Sequence, residues 1–329
     1  MKNRILIIIL VALMIFVSLS SSGLAEKHTV LVMPKLIGIP YFNAAERGAL
    51  RAGEDFGVDV IYAGPTTCDG AAQVKMIEDY MSRGIDAIFV SPNDAAALIP
   101  VLEKAKSKGI LVGDWDAPLD RKVVDYSMIP ARQIDMGKMF WDLLVRALGK
   151  PEGNYIILTG GLDTEGLNIQ IDAGLKYAKE KYPKLNLLTD RIPTNENTQE
   201  AYTATLNVLK AYPELDAIIA MSSPAPIGAA QAIQEKGKKD DIVLVGHALP
   251  NDARPYLKSA DLKFGVLYSP EKLGYMTVYL AKYILDGNEV YDGMEVPNIG
   301  KITLEEDGKG ILMGQPLIFT SENVDQYDF

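Results

Sequence analysis

From residue 29 onward, short apolar runs alternate with amphipathic stretches at spacings that leave few architectures open. Residues 29–33, 58–62, 86–90 and 110–113 predict strands, and residues 42–56, 71–83 and 95–108 between them predict helices. Gly57, Gly84 and Gly109 fall where those helices should stop, because glycine takes up the left-handed conformation that closes a helix at little cost. The strand runs are continuously apolar rather than alternating, so both faces must be buried. Strand and helix in strict alternation then mean a parallel sheet covered on each side.

The pattern restarts near residue 131. Residues 133–148 predict a helix, 155–158 a strand and 168–181 a helix, and the alternation continues to a strand at 242–246. Two segments echo one another: IDAIFVSP begins at Ile85 and LDAIIAMS at Leu215, each after an amphipathic helix and before an Ala-rich one. A chain of 329 residues suits two domains better than one. No Gly/Ser linker separates the halves, so two Rossmann-like lobes tied by crossing strands are expected. The expected N-terminal lobe is 26–130 plus 264–291, and the expected C-terminal lobe is 131–263 plus 292–329.

Ahead of this pattern lies a targeting segment. Lys2 and Arg4 precede an apolar run from Ile5 to Leu19, and Gly23-Leu24-Ala25 fits a cleavage site before Glu26. The run is short for a membrane anchor, which needs about 20 apolar residues. A signal peptide cleaved after Ala25 and a periplasmic location are therefore expected. Loss of two cations takes the formal charge from −10 to −12. No Cys near the cleavage site offers a lipid attachment point, and Cys68, the single Cys, has no intrachain disulfide partner. A pI of about 4.9 argues against nucleic acid as a partner. His28 and His247 are far apart and no Cys, His and carboxylate cluster has ligand spacing, so no metal or cofactor is expected.

In an open parallel sheet, ligands bind beyond the carboxyl ends of the strands. The polar and aromatic residues there are Lys35, Tyr41 and Phe42 after the first strand, Ser91 and Asn93 after the third, and Asp114, Trp115 and Asp116 after the fourth. In the second half they are Asp163, Glu165 and Asn168, then Ser222 and Ser223, then His247, and later Tyr268. Carboxylates and lysine bond hydroxyls, and aromatic faces cover C–H faces, so this set suits a small polyol. Each residue also has a plainer reading: Lys35 as a solvated loop lysine, Tyr41 and Phe42 as packing at a helix start, Asp114 to Asp116 as a polar loop, His247 as a core histidine. Asp114 and Asp116 are spaced for acid–base work, but no nucleophile accompanies them and no phosphate loop, dinucleotide fingerprint or GxSxG elbow occurs. No catalytic residue is assigned.

The motifs PKLIG with Tyr41-Phe42, YAGPT at 62–66, DAIFVS, GDWDAP, AYPELDAIIA at 211–220, LPNDARPYL at 249–257, IGKITL at 299–304 and the closing NVDQYDF carry a resemblance. The chain resembles the type 1 periplasmic solute-binding proteins of ABC importers, in the branch of the autoinducer-2-binding and rhamnose-binding proteins. The resemblance runs from about Thr29 to the end and implies two lobes joined by three crossover segments that close over a sugar-sized ligand. It implies binding roles for Lys35 and Asp116, with Trp115, Tyr41, Phe42 and Tyr268 around them. It also shows departures. Gly166 and Leu167 stand where autoinducer-2 binders place an Asp-Gln pair, with Asn168 retained. Met221 and Ser223 replace a Pro and an Ala, and His247 replaces an apolar residue. The first lobe's half of the site is kept and the second is rewritten, which implies a ligand with an apolar edge such as a deoxysugar. The expected function is capture of a small sugar or polyol by a monomer that delivers it to an ABC permease. An enzyme on a sugar or nucleotide, or a sugar sensor feeding a chemoreceptor or kinase, are the alternatives.

Overall fold

The computed structural model describes residues 27–329; the expected signal segment and its cleavage site lie outside them. The first lobe opens with β1 (Thr29–Met33), α1 (Pro40–Phe56), β2 (Asp59–Tyr62), α2 (Gly70–Ser82), β3 (Ala87–Val90), α3 (Ala95–Ser107), β4 (Leu111–Trp115) and β5 (Tyr126–Ile129). The second continues with α4 (Gln133–Leu148), β6 (Glu152–Thr159), α5 (Glu165–Lys181), β7 (Lys184–Leu187), β8 (Ile192–Pro193), α6 (Thr198–Ala211), β9 (Ala217–Met221), α7 (Ala225–Glu235), β10 (Val243–His247), α8 (Pro250–Lys258) and β11 (Phe264–Leu267). After them come α9 (Pro270–Leu285), a small hairpin of β12 (Glu295–Val296) and β13 (Gly300–Lys301), then β14 (Thr303–Leu304), β15 (Gly310–Leu312) and β16 (Leu317–Phe319).

Both sheets are doubly wound. The first runs β2-β1-β3-β4-β5-β15-β14 and the second β7-β6-β9-β10-β11-β16, with β8 also paired to β6. In each, the chain order reverses beside the lobe's first strand, between β1 and β3 and between β6 and β9, which opens a crevice for a ligand there. The sequence echo is now placed: its two copies supply β3 and β9, each the strand just across that crevice.

β1 shows why the strands are continuously apolar. Val30 and Val32 pack into one core and Leu31 and Met33 into another, on opposite faces of the sheet. The helices over the Leu31 and Met33 face, α2 and α3, begin at side-chain caps: Asp69 accepts from Ala72 N at 2.9 Å and Asp94 from Ala97 N at 3.0 Å. Each such cap contributes about 1 kcal/mol. The last turn of α1 closes on Gly57, whose φ of 68° is left-handed.

The lobe boundaries differ from those expected. β11 pairs with β10, so residues 264–267 belong to the second lobe, not the first. β15 pairs with β5 and β14 with β15, so residues 303–312 return to the first lobe, not the second. Strands of two or three residues carry too little periodicity to be assigned to a sheet from sequence. Three segments therefore cross between lobes: 130–132, 268–269 and 313–316.

Candidate functional site

Asp116 sits just past the end of β4, with a left-handed φ of 67°. Without that turn, strand alternation would send Asp114 and Asp116 to one face. With it, the two separate. Asp116 enters the cleft, where its Oδ1 accepts from Tyr268 at 2.9 Å and from Tyr41, and its Oδ2 from Ser91 at 2.9 Å. The two phenol oxygens lie 3.0 Å apart. Burial, reinforced by the Asp116 charge, raises both tyrosines well above their ordinary range, so they remain donors. One left-handed aspartate costs on the order of 1 kcal/mol, and it recurs at binding sites because surrounding contacts hold it.

Lys35 follows β1 and is 6% exposed. Its ammonium bonds Glu196 Oε1 of the second lobe at 3.1 Å. Burial alone would lower its pKa, but the Glu196 and Asp116 carboxylates outweigh burial and hold Lys35 above the usual lysine range. Glu196 lies in the loop after β8 at a positive φ of 55°. A Cβ on Gly160 would stand 2.4 Å from its carboxylate oxygen, so glycine there makes room for it. A missing side chain at 160 and a left-handed backbone at 196 thus serve one buried charge.

The second lobe's remaining polar wall is neutral. His247, at the end of β10, meets Gln170 Oε1 through Nε2 at 2.7 Å, and Gln170 in turn donates to Gln133. Burial, then the Lys35 charge, pushes the His247 imidazole down to about 3. Its ring packs 4.8 Å from Phe140. Ser222 Oγ lines the same cavity, buried and without a partner. Apolar wall comes from Phe42, Ile39, Leu167 and Leu267. The open space left between these walls is about 50 Å³.

Eight of the expected residues meet in this cavity: Lys35, Tyr41, Phe42, Asp116, Ser222, Ser223, His247 and Tyr268. Ser91, Asn93, Asp163 and Glu165 lie outside its lining, as do Asp114, Trp115 and Asn168. Asp114 stays within the sheet, opposite Ser127, and accepts from Ser127 and from Leu119 N at 2.8 Å. Burial lifts its carboxyl to about 7, and Asp114 lines a neighbouring hinge pocket instead. Trp115 is fully buried behind Phe42, its indole donating to Met33 O at 3.0 Å. Asn168 donates to Leu162 O and accepts from Arg191, each at 2.7 Å. Gly166 and Gln170, four apart on α5, share the cleft-facing side with Leu167, while Asn168 falls on another. Sequence reasoning missed Glu196, Gln133 and Gln170. None left a signal in the sequence: Glu196 follows a strand of two residues, and the glutamines lie inside helical stretches.

Residues 30–289 match the family model described as periplasmic binding protein domain. Among curated proteins, the chain is 24% identical over 278 residues to the ribose import binding protein RbsB of Bacillus subtilis, covering 84% of this chain and 88% of that one. It is 25% identical over 278 residues to the D-apiose import binding protein of Paraburkholderia graminis, covering 82% and 85%. Among solved structures it is similar to LsrB from Clostridium saccharobutylicum in complex with AI-2, at a TM-score of 0.85 and 29% identity, over 92% of this chain and all 100% of that one. It is similar also to an ABC transporter solute-binding protein from Clostridium phytofermentans with bound L-rhamnose, at a TM-score of 0.84 and 25% identity, over 92% and 98%. With a match across most of its length and two doubly wound lobes facing a shared cleft, the chain belongs to the periplasmic binding protein family.

Proposed function

We propose that this protein is a periplasmic receptor that captures a small neutral sugar or sugar-like polyol between its lobes and delivers it to an ABC transporter permease. The observation that carries this reading is the Asp116 carboxylate, held by Tyr41, Tyr268 and Ser91 at the centre of a cavity that also holds Lys35 and an unpartnered Ser222 hydroxyl. A fixed acceptor, a fixed cation and an orphaned hydroxyl suit the alternating donors and acceptors of a polyol, and the Phe42 ring suits its C–H face. Lys35, Asp116 and Glu196 together sum to a single negative charge, which disfavours phosphorylated or acidic sugars. Ligand contacts from both lobes favour the closed form, and closure is the signal a permease can read. On this reading the protein acts as a monomer and performs no chemistry on its ligand: the two carboxylates of the cleft are both engaged by the protein, Asp116 by Tyr41, Tyr268 and Ser91, and Glu196 by Lys35.

The test is calorimetric titration of the purified protein with pentoses, hexoses and deoxysugars. At least one sugar is expected to bind and to raise the melting temperature by mass action. Stabilisation by nucleotides or divalent metals, with no response to any sugar, defeats the reading. Paired titration of rhamnose with mannose and of fucose with galactose separates the apolar edge at Gly166 and Leu167 from the polar wall at Gln170 and His247. The deoxysugar binding more tightly in both pairs assigns the specificity to the former.

A further inference from the structure

Beside the sugar cleft lies a second cavity, at the crossing segment 130–132, that the function above leaves unused. Its volume is about 320 Å³, and it shares three wall residues with the cleft: Asp116, Ala117 and Gln133. Apolar side chains line it on both sides of the lobe seam, Pro118 and Ile129 from the first lobe and Ile134 and Ile169 from the second, among charged groups that include Asp135, Arg132 and Glu305. Ile134 is 53% exposed. The cavity also holds Arg121. Its Nη2 bonds Glu305 at 3.2 Å and its Nε lies 3.5 Å from Asp307, but Nη1 is buried with no partner. Among the described residues it is the one buried side-chain nitrogen so left. A buried donor without an acceptor costs about 1–3 kcal/mol and calls for an oxygen.

The wall between the two cavities is thin. Gln133 reaches Asp116 O only at 3.5 Å, the outer limit of a hydrogen bond. Gly166 faces Ala117 across the seam, and a Cβ there would already touch the Ala117 Cβ at 3.4 Å. A larger residue at 166 would crowd Ala117, one of the three residues that form the shared wall.

We propose that the binding cleft continues past Gln133 into this hinge cavity, so that the receptor takes a glycoside: a sugar ring beside Lys35, Asp116 and His247, with an apolar aglycone lying on Ile134 and Ile169 and offering an oxygen to Arg121. The inference rests on the sugar-receptor reading and deepens it. One ligand spanning both cavities explains why they share a wall, why both draw residues from both lobes, and why the departure to Gly166 falls at their junction.

The experiment titrates L-rhamnose, L-fucose, D-xylose, D-ribose and D-galactose, each beside both anomers of its 4-nitrophenyl glycoside, whose ring is apolar and whose nitro group supplies oxygen acceptors. For a sugar that binds, one anomer of the glycoside is expected to bind at least tenfold more tightly than the parent. In Ile134→Glu, an exposed position where the fold tolerates the change, the ratio of glycoside to parent affinity is expected to fall towards one. A parent sugar that binds while both its glycosides bind more weakly overturns the glycoside assignment and leaves the receptor reading standing. An unchanged ratio in Ile134→Glu also overturns it, since the aglycone then lies elsewhere. No binding by any sugar or glycoside overturns both.

Discussion

The two halves of the cleft are built from different chemistry. The first lobe contributes charge on short tethers: Lys35 two residues past β1, Asp116 one residue past β4, and Ser91 at the end of β3. The second contributes neutral groups deeper in its elements, Gln170 within α5 and His247 at the end of β10, with Glu196 the exception. A charge fixed by three hydroxyls keeps its position whether or not the ligand is present. A chain of amides and an imidazole can exchange donor for acceptor by turning an amide or moving a proton between ring nitrogens. Under the proposed function, the first lobe anchors whatever sugar enters and the second decides which sugar stays.

That contrast is broken or sharpened by substitution. Asp116→Ala removes the anchor and is expected to weaken binding of the tightest sugar by at least a hundredfold, about 2.7 kcal/mol. Gln170→Ala is expected to cost closer to tenfold and to change the order of preference among sugars, which Asp116→Ala does not. Calorimetry on both variants decides it: a larger loss in Gln170→Ala, with the order of preference kept, reverses the assignment of roles.

The two lobes also carry opposite linkages to pH. His247 has a folded pKa of about 3 against an ordinary 6.5, so below pH 6.5 the unfolded chain binds the extra proton and stability falls as pH falls towards 3. Asp114 has a folded pKa of about 7 against 3.8, so its contribution is fully present below 3.8 and is lost as pH rises through 7. At pH 5 the His247 linkage amounts to about 2 kcal/mol, at about 1.4 kcal/mol per unit. Melting curves between pH 4 and 8 are expected to flatten on the acid side in His247→Gln and on the neutral side in Asp114→Asn. A variant with the slope of the parent removes that residue from the account.

The smallest effect concerns Ser222. Its orphaned hydroxyl is a cost in the empty cleft and a partner in the filled one. Ser222→Ala is expected to raise the melting temperature of the ligand-free protein slightly while weakening sugar binding by about 1 kcal/mol, roughly fivefold. A fall in both leaves the hydroxyl bonded within the protein rather than to the sugar.

How far this site could be read in advance follows the same division. Residues at strand ends are legible, because the fold class says where strand ends point; Lys35, Tyr41, His247 and Tyr268 were found that way or through the motifs around them. Asp114 misled, because a single left-handed residue, Asp116, breaks the alternation and nothing in GDWDAP announces it. Glu196 follows a strand of two residues, too short to leave a pattern. Gln170 lies inside a helix whose amphipathic reading assigns it to packing. The strand–helix alternation was legible throughout, whereas the lobe boundaries failed where β14 and β15 return to the first sheet.

That return has a consequence for how the protein is made. Synthesis proceeds from the N-terminus, yet the first sheet is incomplete until residues 303–312 arrive, and the second waits for β16 at 317–319. Neither sheet can gain its last strand from a partly made chain. Pairings over 180 residues apart in sequence, such as Met128 with Ile311, are entropically late. A chain whose two sheets close only on their late strands withholds its finished structure until those segments have emerged from the ribosome.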